Sequence, residues 1–143
     1  MTPTIAQISP VTLSLATATR LTEAAVAKAS EIGIPYTITV IDGGGHVVLA
    51  TRMDGAALVS IDTSVAKART SVYFGAATAD LGGAVQPGAP LFTIATATTS
   101  PLIFVAGGIP VHDAAGVVVG AIGAGGGSPE QDHEVAATAV GAL

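Results

Sequence analysis

An α+β domain, with an antiparallel sheet built from two hairpins and flanked by helices, follows from three features of this 143-residue chain. Two β-branched runs fold back on themselves across turns of the form D-x-x-G. Three segments read as helices with recognisable ends. Single strands never alternate regularly with helices, as a doubly wound parallel sheet requires. The length suits one domain, residues 1–143, with a real core.

The first helix is read over residues 14–32, where Leu15, Ala18, Leu21, Ala25, Ala29 and Ile32 recur at three- and four-residue steps and Gly33 stops the pattern. Tyr36 to Ile41 and Val47 to Arg52 then form a hairpin across Asp42 and three glycines. The second helix begins with Ser60 as cap and Asp62 near its start, carries Lys67 and Arg69 later, and ends at Gly75, the polarity a helix dipole favours. Residues 76–101 are rich in Gly, Pro and Thr and predict short helical turns and loop. A second hairpin turns at Asp113 to Gly116, an echo of Asp42 to Gly45 that reads as two similar turns rather than a duplication. Ser128, Pro129 and Gln131 spell a capping box that opens the last helix.

Composition narrows the function classes. Charged residues are 10% of the chain, against roughly a quarter in an ordinary soluble protein. Between Asp80 and Glu130 the only formal charge is Asp113, which predicts burial of this half in a homo-oligomer. Four prolines, Gly107, Gly108 and many threonines break that region, so it does not span a membrane. The opening segment MTPTIAQISP carries no secretory signal, which predicts a cytoplasmic protein. With no cysteine there is no disulfide, thiolate nucleophile or thiolate metal site. A net charge of −5 with scattered Lys and Arg argues against nucleic acid.

The stretch GAIGAGGGSPEQDHEVA, residues 120–136, raises the question of phosphate binding. It lacks G-x-G-x-x-G, since Ser128 stands where the third glycine belongs, and no lysine completes a P-loop. Glu130, Asp132 and Glu134 would repel a phosphate from that helix start. The loop therefore reads as glycines letting backbones pass closely, with a flat ligand or a second subunit as the other reading.

Four stretches, taken in order, resemble the GlcG/HbpS family of haem-binding and related proteins, which includes the C-terminal domain of PduO-type proteins. They are VIDGGGHVVLATRMDGA (40–56), AKART (66–70), GGIPV (107–111) and GVVVGAIGAGGGSPEQDHEVA (116–136). The resemblance runs from about residue 12 over most of the chain. It implies a profilin-like fold, assembly from dimers to octamers, and association with haem or related ligands, with iron, and with small-molecule catabolism. The chain departs from the family pattern at three places. Gly125 replaces a serine of the glycine loop, His46 stands where Asn is more usual, and no His precedes residue 46, so no axial haem ligand carries over.

Each candidate residue has a plain and a functional reading. Arg52 and Asp54 either lock the exit of the first hairpin, or Arg52 forks onto a carboxylate such as a haem propionate or a small acid. Lys67 and Arg69 sit on a solvated helix face, or Lys67 is buried and serves as a base or carboxylate binder. Gly107 and Gly108 form a strand bulge or an anion nest. His112 and Asp113, adjacent in a strand, point to opposite faces and imply no pair. His133, flanked by Asp132 and Glu134, is a surface residue or an axial or metal ligand. No H-E-x-x-H motif or serine elbow is present.

The leading expectation is an oligomeric binding protein holding haem or a similar flat, carboxylate-bearing ligand near Arg52, the Gly107–Gly108 strand and the glycine loop, with Asp54, Lys67, His112 and Gly125 as further contacts. The alternative is an enzyme of small-molecule catabolism acting on an oxygenated or carboxylated substrate in a pocket between subunits. Lys67, Asp132 and His133 would then be its catalytic groups. A third reading is an accessory subunit whose polar groups are all engaged with one another.

Overall fold

The computed structural model of the chain describes residues 13–143; the segment MTPTIAQISP lies outside them. Helix α1 (Leu15–Ile32) is followed by β1 (Thr37–Asp42), β2 (Val47–Arg52), α2 (Ser60–Phe74), three short 3-10 turns between Thr78 and Ala97, β3 (Gly108–His112), β4 (Val118–Gly125) and α3 (Pro129–Gly141). The four strands pair antiparallel in the order β2-β1-β4-β3, so the two hairpins join along β1 and β4. The fold is the expected α+β arrangement, a sheet of two hairpins flanked by helices.

Both hairpin turns have one construction. Asp42 Oδ1 accepts from the N–H groups of Gly44 and His46, and Asp113 Oδ1 accepts from those of Ala115 and Val117, each at 2.9 Å. Gly45 (φ 85°) and Gly116 (φ 81°) take the left-handed position that closes each turn, and a register shift follows in each hairpin. The D-x-x-G echo is thus the same turn chemistry used twice.

Alternation along β1 separates two faces of the sheet. Ile38 and Val40 enter the main core with Leu21 and Ala25 of α1, Ile122 of β4 and Val135 of α3. Thr37, Thr39 and Ile41 face α2 instead. There Thr37 and Ser60 share a hydrogen bond of 2.7 Å, Thr39 and Ser64 one of 2.8 Å, and Ile41 packs with Ala68 and Ala121. Helix α2 lies almost on the sheet backbone. A Cβ at Gly123 would collide with the Ser64 carbonyl, and one at Gly108 with the Lys67 carbonyl.

Helix ends follow local chemistry, with one correction. Ser14 caps α1, and Ser128 and Gln131 form the reciprocal capping box of α3 with Pro129 in its first turn. Ser60 is not the cap of α2: Val59 holds that position without a side-chain bond, and the Ser60 hydroxyl is directed to Thr37. The hydroxyl is engaged by Thr37 and by the Ala57 carbonyl of the preceding turn rather than by the N–H groups of the helix end.

Candidate functional site

The centre of the molecule's polar chemistry is a buried ion pair. Lys67 leaves the sheet-facing side of α2, and its stem passes beside Gly107, where an added Cβ would lie 3.0 Å from Lys67 Cδ and 2.7 Å from the Ala124 carbonyl. Gly107, at φ 130°, therefore makes room for the lysine as well as for a backbone conformation that side chains disfavour. The ammonium donates to Asp132 Oδ2 at 2.6 Å and to the Ala124 carbonyl at 3.2 Å. Asp132 Oδ1 accepts the Gly127 N–H at 2.8 Å. Both side chains are only 5% exposed.

Burial makes each partner dependent on the other. Removing one member of such a pair leaves an uncompensated charge in a low-dielectric setting, at a cost of about 3–5 kcal/mol. The solvated-face reading of Lys67 is corrected by this burial, whereas Arg69, two residues on, is half-exposed. Behind the pair sits Tyr36, fully buried, with a hydroxyl that finds no hydrogen-bond partner among the described residues. Burial first, and then the Asp132 carboxylate, hold its pKa above the ordinary tyrosine range.

A cavity of about 250 Å³ opens against the pair. Ser60, Thr63, Lys67 and Asp132 supply its polar wall; Val59, Ile103, Val105 and Pro129 supply the apolar one, and Gly126 and Gly127 form part of the lining. The N-terminal end of α3 also borders a second cavity, of about 380 Å³, lined by Ala79, Phe104, Ala106, Glu130 and His133. Residues 103–106 divide the two, Ile103 and Val105 facing one and Phe104 and Ala106 the other. A third cavity, of about 340 Å³, lies at the far end of β3 between Arg20, His112, Val111, Val119, Leu13 and Leu143.

The sequence candidates are thereby distributed over several places. Lys67 and Asp132 come together. Gly107, Gly108 and Gly125 pack against protein: an added Cβ at Gly125 would meet Thr63 Oγ1 at 2.6 Å. His112 lines the third cavity and His133 the second, and the buried Nδ1 of His133 has no partner among the described residues. Arg52 and Asp54 are exposed, form no ion pair with each other, and line none of these three cavities. His46 is exposed on the first turn, with Nδ1 3.4 Å from Asp42 Oδ1.

Of the three acids at the α3 start, Asp132 turns inward to Lys67. Glu134 reaches Lys28 of α1 at 3.2 Å, and Glu134 first and Glu31 second raise the Lys28 pKa. Among the described residues no three His, Cys, Asp or Glu side chains group to hold a metal ion. Sequence reasoning missed Arg20 and Tyr36. Neither belongs to a motif, and only the fold brings Arg20 to the cavity beside His112 and Tyr36 to the neighbourhood of Asp132.

The α+β architecture and its glycine-spaced sheet place the chain among known proteins. It is 40% identical over 129 residues to an uncharacterized 15.0 kDa protein of the dhaT-dhaS intergenic region of Citrobacter freundii, covering 90% of each chain. It is 34% identical over 137 residues to the corrinoid adenosyltransferase PduO of Salmonella typhimurium, covering 96% of this chain but only 40% of PduO. Among solved structures, the PduOC:heme complex superposes with a TM-score of 0.87 at 34% identity, covering 92% of this chain and 95% of that one. Residues 13–141 match the family described as haem degrading protein HbpS-like. The chain belongs to the HbpS-like family.

Proposed function

We propose that this protein is a cytoplasmic, single-domain homo-oligomer, between a dimer and an octamer, that binds haem or a similar flat, carboxylate-bearing ligand. Family membership and the likeness to a haem complex of PduOC support the class of ligand. Among the described residues no helix is long and apolar enough to cross a membrane.

The observation that carries the reading is the cavity at the end of β3. It joins one imidazole, His112, to one guanidinium, Arg20, across apolar walls of Leu13, Val111 and Val119, with the Asp113 carboxylate at its edge. These residues fit haem: an imidazole can ligate iron, apolar walls suit the macrocycle, and a guanidinium forks onto a propionate. Arg20 thus takes the carboxylate role that the sequence suggested for Arg52. Bound haem would bring a redox-active iron to a chain without thiolates. The His133 cavity fits less well, because its lining holds no cation to meet a propionate, and among the described residues the His133 Nδ1 has no carboxylate or carbonyl to orient the ring.

Haemin titration followed at the Soret band tests the proposal, with His46, His112 and His133 each changed to Ala. We expect saturable binding that His112→Ala weakens by about tenfold or more, equivalent to roughly 1.4 kcal/mol, with His46→Ala unchanged. Absence of a saturable shift removes haem as the ligand. Dependence on His133 instead of His112 moves the ligand to the other cavity and overturns the assignment made here.

A further inference from the structure

The Lys67–Asp132 pair has hydrogen-bonding capacity that the protein leaves unused. An ammonium has three N–H donors, and among the described residues two have acceptors, Asp132 Oδ2 and the Ala124 carbonyl. A carboxylate has about four lone-pair positions, and two of Asp132 are taken, by Lys67 and by the Gly127 N–H. One donor and two acceptor positions therefore remain on a pair that is nearly buried and forms the wall of a cavity.

Charge decides what can use them. Lys67 and Asp132 together carry no net charge, and the facing wall is Val59, Ile103, Val105 and Pro129. An anion entering here would bring a charge whose partner is already neutralised, beside an apolar surface, and a cation would do the same with the opposite sign. A neutral molecule with a donor next to an acceptor meets both unused functions and introduces no charge. Size narrows the class further. The cavity's volume of about 250 Å³ falls below the roughly 300–1,000 Å³ of pockets for drug-sized ligands.

We propose that this cavity is a binding site for a small neutral compound carrying a hydroxyl beside a carbonyl or a second hydroxyl, with Lys67 donating to one oxygen and Asp132 accepting from the neighbouring hydroxyl. The site is separate from the His112 cavity and does not depend on haem. A pair that served only to clamp α2 to α3 would have no need of an open wall. Here the clamp shares the lining of an open cavity with Gly126, Gly127, Ile103 and Val105.

The test uses the full chain without haem and follows backbone amide resonances during titration with hydroxyacetone. Two controls accompany it: glycolate, which is charged, and acetone, which lacks the hydroxyl. Hydroxyacetone is expected to shift the Gly126, Gly127 and Asp132 amides saturably, with glycolate and acetone weaker by about tenfold or more. Val105→Trp fills the cavity from a wall residue that is 46% exposed, so it leaves the pair and the fold in place and should abolish the shifts. The proposal is overturned if hydroxyacetone produces no saturable shift at these amides, if glycolate binds as well, or if Val105→Trp binds unchanged. A haemin titration can succeed or fail independently of each of these results.

Discussion

Tyr36 carries a hydroxyl that folding removes from water and does not pair among the described residues. The Asp132 carboxylate lies close enough to raise the Tyr36 pKa, yet among the described residues the phenol is not aligned in a hydrogen bond with it or with any other group. An unmade bond of this kind costs about 1–3 kcal/mol, and Tyr36→Phe should therefore hold or raise stability by up to about that amount at neutral pH. The same residue sets an alkaline dependence. Its folded pKa is raised, so the contribution is intact below the unfolded value of about 10 and is lost as pH rises above it, where the unfolded chain releases a proton that the folded chain retains. Denaturant unfolding of both proteins from pH 7 to pH 11 checks this: the stability difference between Tyr36→Phe and the parent should widen above pH 10, and a constant difference would contradict it. None of this was legible locally. Tyr36 reads in sequence as the start of a strand, and the partner that buries Lys67 is 65 residues away. The sequence left open whether Lys67 is solvated or buried, because a helix face of Ser, Thr and Ala suits water or a close-packed sheet equally well.

That face of α2 also shows why the elements were easier to read than their contacts. Helix limits depend on neighbours within four residues, and so Ser14, Gly33, Gly75 and the Ser128–Gln131 box were found where they occur. Ser60 misled because its hydroxyl serves Thr37, a residue on another element. The glycines of β4 were legible as close-approach positions but not as the seat of a particular helix. Gly123 is the sharpest case, since its Cα faces the Ser64 carbonyl with no space for a methyl group. Overpacking typically costs about 1–3 kcal/mol, and here the obstruction is backbone, which has no rotamer by which to retreat. Gly123→Ala should cost at least that much, and it should lower the thermal midpoint far more than Gly83→Ala, where an added Cβ meets nothing within 4 Å. Similar midpoints for the two variants would mean that α2 does not rest on β4 as described.

For the molecule as a whole, the unusual quantity is the scarcity of charge on a chain with so much exposed apolar surface. Leu58 is 78% exposed, and Val59, Phe92 and Val105 are also exposed. Val59 and Val105 border the cavity beside Lys67, and Phe92 belongs to the region between Asp80 and Glu130 whose single formal charge is Asp113. Isolated apolar side chains on a surface need no explanation, but several on a surface with few charges favour association. A second copy covering Leu58 and Phe92 would remove them from water, at about 25 cal/mol for each Å² of apolar surface buried. Placing a carboxylate at both positions opposes that burial without touching the Lys67–Asp132 pair or the His112 cavity. Sedimentation velocity is the appropriate measurement: the parent should run as a multiple of the 13.8 kDa chain, and Leu58→Glu/Phe92→Glu should shift toward the monomer. Circular dichroism of the variant should remain that of the parent, because neither side chain belongs to the core. A parent that is monomeric across the accessible concentration range would overturn the oligomeric part of the proposed function. The charge-poor surface would then have to be explained by a partner other than a second copy.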